Sequence, residues 1–176
     1  FVRQRVWLPD FAPTPPDPQN RRPVLVHSPS APVAKGTTAV LTAVEKLKSH
    51  YDFDFRLIQN MPRHQALQVV READIFLDQF GLGGYGLAAL EAMAFAKPVV
   101  LYIKPSLLLQ YPPDLPVINA TQDNLAEALE PLLADPALRR EMGLRSRAYV
   151  ERYHDAIVAA RELIGIYREL LTGSRR

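Results

Sequence analysis

The sequence predicts an α/β domain, a parallel sheet with helices on both faces. Three observations carry that expectation. Short apolar runs alternate with amphipathic helical patterns, so that a strand and a helix recur roughly every 20 to 30 residues. The runs "PVLVH", "DIFLD" and "PVVLYI" are apolar at successive positions, as strands buried on both faces must be. A glycine-rich stretch, "GLGGYG" at 81–86, stands between one such run and an alanine-rich helix, which makes a strand–loop–helix unit.

Residues Val2 to Trp7 form a possible first short strand. Pro9, Pro13, Pro15, Pro16 and Pro18 follow. Prolines that close together exclude helix and internal strand, so 1–21 is expected to be an extended linker or the remnant of a connection between domains. The folded unit is expected to span 22–172, with 173–176 a flexible tail. "PVLVHSP" is its first strand. After Lys35-Gly36, "TTAVLTAVEKLKSH" places Val40, Leu41, Val44 and Leu47 on one helical side, with Lys46, Lys48 and His50 at the end the helix dipole favours. "FDFRLIQN" is the second strand, and "MPRHQALQVVREA" a helix with Pro62 in its first turn. "DIFLDQ" is the third strand, "PVVLYI" the fourth and "LPVINA" another. Three helices close the chain: "TQDNLAEALEPLLAD", capped by Thr121 or Asp123, then "PALRREMGLRSRAYVERYH" and "DAIVAARELIGIYRELL". The last is amphipathic, which leaves core packing and membrane contact both open.

The totals narrow the function classes. A chain of 176 residues, 48% hydrophobic, suits one domain. The absence of cysteine removes disulfides and thiolate metal sites, and fits a reducing compartment. Lysine and arginine number 21 against 19 acidic residues, too even for a nucleic-acid surface. Neither Arg21-Arg22 nor Arg175-Arg176 is interleaved with aromatics. No apolar stretch is long enough to span a bilayer. His27, His50, His64 and His154 are scattered, with no triad and no metal-ligand spacing.

The chemistry therefore concentrates at the glycine loop. Gly81, Gly83, Gly84 and Gly86 permit close approach to the backbone, and the helix that follows aims its free amides and positive end there, a setting for phosphate. The spacing matches neither a dinucleotide fingerprint nor a P-loop. Glu91 is a carboxylate among Leu87, Ala88, Ala89, Leu90, Ala92, Met93 and Ala94, and needs a partner. The two hydroxyls of a ribose, an arginine on the next element, or Lys97 would each serve. Lys35, at a loop-to-helix junction after the first strand, is placed to meet a phosphate, because open parallel sheets bind ligands at that edge. His27, Ser28 and Ser30 share its loop as hydrogen-bonding candidates.

"KG" at 35–36, "AD" at 73–74 and above all "GYGLAALEAMAFAKPVV" resemble the carboxyl-terminal, donor-binding domain of GT-B-fold retaining glycosyltransferases, the large glycosyltransferase family 4 or group 1 type. The likeness runs over 22–170. It implies one Rossmann-like lobe of a GT-B fold and a nucleotide-diphosphate sugar, UDP- or GDP-linked, as donor, with no metal or other cofactor. By that resemblance Glu91 binds the donor ribose. Gly84, Tyr85, Gly86 and Leu87 offer amides to the diphosphate or sugar. Lys35 neutralises phosphate as the leaving group departs, and the base lies near Asn60, Met61 and Pro62. Three positions depart from the family pattern. The first glutamate of its pair falls at Gly83, a second basic residue falls at Ser30, and Ala96 replaces a glycine. Asp78-Gln79 matches a branch lacking that glutamate, and either residue is a candidate for a replacement sugar contact.

The resemblance also implies an amino-terminal acceptor domain outside this chain, so that the chain alone is expected to be an incomplete, inactive transferase. Its acceptor would be a glycan or lipid-linked sugar, as in cell-surface polysaccharide synthesis. The expected setting is cytoplasmic, with contact at the inner membrane face only through the full-length protein. A nucleotide-sugar epimerase of the same architecture, or an interaction domain with a decayed pocket, are the alternatives.

Overall fold

The computed structural model describes residues 4–171, apart from the side chain of Glu162. The expected first-strand residue Val2 and the tail at 173–176 lie outside the described residues. Five parallel strands form one sheet: β1 Val24–His27, β2 Asp54–Leu57, β3 Ile75–Leu77, β4 Val99–Leu101 and β5 Val117–Asn119. Their order is β2-β1-β3-β4-β5. The α/β class is as the sequence predicts. Eight helices accompany the sheet among the described residues: α1 Pro32–Lys35, α2 Thr37–Lys48, α3 Arg63–Glu72, α4 Leu87–Ala94, α5 Pro105–Leu108, α6 Leu125–Ala134, α7 Pro136–Tyr153 and α8 Ala156–Leu171.

Strand side chains alternate between two cores, as a period of two requires. Val26, Phe76, Val99 and Leu101 join the core under α3, α4 and α7. Leu25, Ile75, Leu77 and Val100 join the core under α2 and α6. The chain starts at β1 in the interior of the sheet, goes out to β2 and returns to β3. Connections after β1 and β3 therefore diverge, and a crevice opens at the carboxyl ends of these two strands. That crevice positions the site.

Several local expectations change. Leu41 is largely exposed, while Ala43 joins Val40, Val44 and Leu47 in the core. Two short helices, α1 and α5, were not legible; each starts on a proline suited to its first turn. Asn124, rather than Thr121 or Asp123, stands at the start of α6, its Oδ1 accepting from the Thr121 amide at 2.8 Å. On α8, Leu163, Ile164, Ile166, Tyr167 and Leu170 are about half exposed, so core packing does not account for its apolar side. Among the described residues no helix is long and apolar enough to cross a membrane.

The proline-rich arm is extended, as prolines dictate, but it is not free of the body. Val6, Leu8 and Phe11 are buried, and the Phe11 ring lies 4.9 Å from that of Phe95. Val6 pairs in parallel with Asp155, through its amide on the His154 carbonyl (2.8 Å) and its carbonyl on the Ala156 amide (3.0 Å). The packed unit thus reaches well ahead of Arg22. One 3₁₀ turn, Leu8–Asp10, interrupts the arm; elsewhere, without helix or ladder, its carbonyls need outside donors. Here cations provide them. Arg147 donates to Phe11 O (2.7 Å) and Ala94 O (2.6 Å), Lys97 to Thr14 O, Arg140 to Pro16 O (3.3 Å) and Arg139 to Asn20 O.

Ala96 sits at φ +61° and is fully buried. This left-handed backbone costs a residue with a Cβ about 1–2 kcal/mol, and it falls where the resembled family has glycine. Across from it, a Cβ on Gly143 of α7 would collide with the Ala96 carbonyl. That glycine lets α7 cross α4 closely.

Candidate functional site

The carboxyl ends of β1 and β3 bring several residues of the sequence motifs to one edge of the sheet. His27 ends β1 and is fully buried. Its Nδ1 donates to Leu77 O (2.9 Å), which leaves Nε2 to accept from the Thr37 hydroxyl (3.0 Å). Burial, outweighing the Leu77 carbonyl and nearby Asp78, holds its pKa below the ordinary histidine value, so the ring is neutral. The expectation that His27 offers a hydrogen bond from the loop is therefore corrected: both nitrogens serve the core. Ser28 lines a cavity described below, and Ser30 is exposed.

Lys35 ends α1 and points its ammonium at Asp78 Oδ1, 2.5 Å away. The Asp78 side chain has no exposed surface and that of Lys35 only 11%. The second oxygen, Asp78 Oδ2, has no hydrogen-bond partner among the described residues. Isolated burial of a carboxylate is costly, and Lys35 offsets it. The lysine thus reaches the crevice with its charge balanced, and with two of its three N–H donors left over. Gln79 is next along the chain and is also buried. Its amide nitrogen donates to Gly84 O (2.8 Å) and Tyr102 O (2.6 Å), and its oxygen accepts from the amides of Leu82 (2.6 Å) and Gly83 (3.1 Å). Three of the four bonds shape the glycine loop and the fourth ties it to the chain after β4. Gln79 has none left for a sugar.

The glycines divide into two kinds. A Cβ on Gly81 would lie 2.5 Å from Ala34 O, and one on Gly84 would lie 2.9 Å from the Tyr111 hydroxyl. Gly83 has φ +85°, and a Cβ there would lie 2.6 and 2.7 Å from Lys104 Cδ and Cε. At these three positions it is the protein itself that makes the close approach. Gly86 has nothing within 4 Å of its absent Cβ. It precedes α4, which has no side-chain cap, so first-turn amides face open space with the positive end of the helix. Leu87 is half exposed beside it. The Tyr85 side chain turns the other way. Its hydroxyl bonds Tyr149 Oη and His154 Nε2, each at 3.0 Å, and its ring stacks on Tyr111 at 4.5 Å.

Glu91 lies on α4 a little over one turn beyond Gly86. Arg63 at the start of α3 donates to its Oε1, an arginine partner of the kind the sequence left open beside a ribose. Lys97 is elsewhere, buried under the arm on Thr14 O, and burial pushes its pKa down to about 8. The Glu91 side chain is 12% exposed and Arg63 67%; the arginine is the free-swinging member. Ser28, Arg63, Phe76, Leu87 and Glu91 line a cavity of about 240 Å³ between α3 and α4. Asn60 and Met61 follow β2 at the same sheet edge, Asn60 at φ +52°, a region asparagine tolerates. Among the described residues no three His, Asp or Glu side chains gather as metal ligands. Sequence reasoning did not find Arg63, the Lys35–Asp78 pair, or Lys104 over Gly83. Only a basic residue opening the helix after "NMP" hinted at the first.

The family model described as "Glycosyl transferases group 1" matches residues 45–149. No curated protein sequence matches the chain at a significant level. Among solved structures, sucrose-phosphate synthase from Thermosynechococcus elongatus superposes with a TM-score of 0.74 at 19% identity, over 97% of this chain and 52% of that one. The C-terminal domain of a group 1 family protein, LpcC, from Francisella tularensis gives 0.62 at 18% identity, over 86% of this chain and 99% of that one. HepE from Anabaena, solved with UDP and glucose, gives 0.61 at 12% identity, over 84% and 48%. The chain thus spans about half the length of the synthase and of HepE. At such identities these likenesses speak for the fold.

Proposed function

Because this chain belongs to the glycosyl transferases group 1 family, we propose that it is the donor-binding lobe of a glycosyltransferase, taking a nucleoside-diphosphate sugar for transfer to a glycan or lipid-linked acceptor. One observation carries the reading. Glu91, nearly buried, lines the α3–α4 cavity just over a turn from the uncapped α4 terminus at Gly86.

The chemistry follows from these residues. Arg63 swings into solvent, and the Glu91 oxygens accept from both ribose hydroxyls. The diphosphate meets the first amides of α4 near Gly86 and Leu87. Lys35, still held by Asp78, turns its remaining N–H donors toward the same oxygens. Donors fixed before the reaction stabilise the negative charge that grows on the leaving diphosphate. Asn60 and Met61 flank the base. In this reading an amino-terminal lobe supplies the acceptor, and the whole enzyme works in the cytoplasm, at the inner membrane face when its acceptor is lipid-linked. The UDP in HepE makes UDP the first nucleotide to try.

The pairing of both Glu91 and Lys35 within the chain favours a second reading, an interaction domain whose pocket has closed on itself. Calorimetric titration with UDP, GDP and ADP separates the two. Selective binding of one nucleotide, weakened at least about tenfold by Glu91→Ala, is the expected result. No binding at millimolar nucleotide, by this chain and by the full-length protein alike, overturns the donor reading.

A further inference from the structure

Five lysines occur in the chain, and four have evident partners: Lys35 with Asp78, Lys46 with Glu127, Lys48 with Glu45, and Lys97 with Thr14 O. The fifth, Lys104, is exposed, and among the described residues its ammonium makes no ion pair or hydrogen bond. Its backbone is nevertheless firmly placed. The Lys104 amide donates to Gly83 O at 3.0 Å, and its carbonyl accepts from Leu107 and Leu108 at 2.9 and 3.1 Å. The stem lies over Gly83, where a Cβ would fall 2.6 Å from Lys104 Cδ and 2.7 Å from its Cε, and the φ of +85° there by itself favours glycine. A long, flexible side chain is thus laid along the glycine loop, three residues ahead of Gly86.

The charge balance at this edge gives that placement its meaning. Lys35 is offset by Asp78 and Arg63 by Glu91. What stays uncompensated is the partial positive charge of the α4 terminus and Lys104. A dianionic diphosphate needs more positive charge than the helix end supplies. Resting on the donor reading above, we propose that Lys104 is a second anion-binding cation of this donor site, beside Lys35, whose charge Asp78 already offsets. Its ammonium pairs with an anionic group of the bound nucleotide sugar beside the α4 terminus. That group is either the diphosphate or a carboxylate on the transferred sugar.

The test titrates wild type, Lys104→Met and Glu91→Ala with inorganic pyrophosphate, UDP, UDP-glucose and UDP-glucuronate at low salt. Methionine keeps an apolar stem over Gly83, and a circular dichroism melt checks that the variant folds. If Lys104 pairs with the diphosphate, Lys104→Met weakens all four probes by about tenfold, the worth of one charge-assisted contact. If it pairs with a sugar carboxylate, only UDP-glucuronate weakens. Lys104→Met binding every probe within about twofold of wild type overturns the proposal. The two readings fail separately. Loss of affinity in Lys104→Met with no change in Glu91→Ala removes the ribose assignment and keeps Lys104. The reverse pattern removes Lys104 alone. Wild type that binds neither pyrophosphate nor any nucleotide refutes both.

Discussion

Arg139 on α7 and Lys35 at the sheet edge are both cations drawn into the body of the protein, and they are held in different ways. Arg139 is fully buried and donates to backbone carbonyls, Leu132 O at 2.6 Å, Leu133 O at 3.2 Å and Asn20 O. Arg140, Arg147 and Lys97 do the same for other carbonyls of the arm. Lys35 and Arg63 meet carboxylates instead, and Lys104 meets nothing among the described residues. The carbonyls of Phe11, Thr14, Pro16 and Asn20 have no other donor among the described residues, so that first set is structural. Under the donor reading the Glu91–Arg63 pair is the exchangeable one, since ribose hydroxyls would take the place of the exposed Arg63. The seam closes the fold, and the edge keeps its charges in reserve.

The largest expected effect tests the seam. Arg139→Met leaves the buried carbonyls of Leu132 and Leu133 and the part-buried one of Asn20 without their donor, and should destabilise the chain by on the order of 4 kcal/mol in urea unfolding. A cost near zero would break the contrast. The next sharpens the edge. Lys35→Met strands a buried Asp78 carboxylate and should cost about 3 kcal/mol, whereas Asp78→Asn should cost only about 1, because Lys35 can turn to solvent and Asp78 cannot. Equal costs would mean the pair is not anchored by the carboxylate. The last concerns Lys97, whose effect is spread over a range of pH. Its folded pKa, about 8, lies below the ordinary lysine value of 10.5 because of burial, which Asp74 opposes and Arg71 assists. Between these values the unfolded chain holds the extra proton, so stability rises with pH, at most about 1.4 kcal/mol per unit. Relative to Lys97→Met, wild type should gain stability from pH 8 toward 10.5, with the greater share of any proton uptake on unfolding in that window.

Much of the fold was legible because its signals are local. The helix at 37–48 and the strand at 75–77 announce themselves by apolar period, and the glycine loop by its composition. The arm was half legible. Five prolines settled that it is extended, but Val6, Leu8 and Phe11 are spaced by no period, so their burial left no pattern to read. The short α1 and α5 fell below the length at which periodicity speaks. At the candidate site, Glu91 and Lys35 stood out as residue types in the right places. Their partners did not: Arg63 lies 28 residues from Glu91, and Asp78 lies 43 from Lys35. Nothing in a sequence spacing reports such a meeting.

The amino-acid sequence by itself determined the class of fold, the order of strands and helices along the chain, and the family to which they belong, since hydrophobic period and glycine or proline placement act over a few residues. Only the tertiary structure decided what each polar group holds. It turned His27 inward, gave Gln79 to the glycine loop and balanced Lys35 with Asp78. It also laid Lys104 across Gly83. Such choices depend on which side chains the crossing of strands brings within hydrogen-bond reach, and charge and burial can be weighed only once those distances exist.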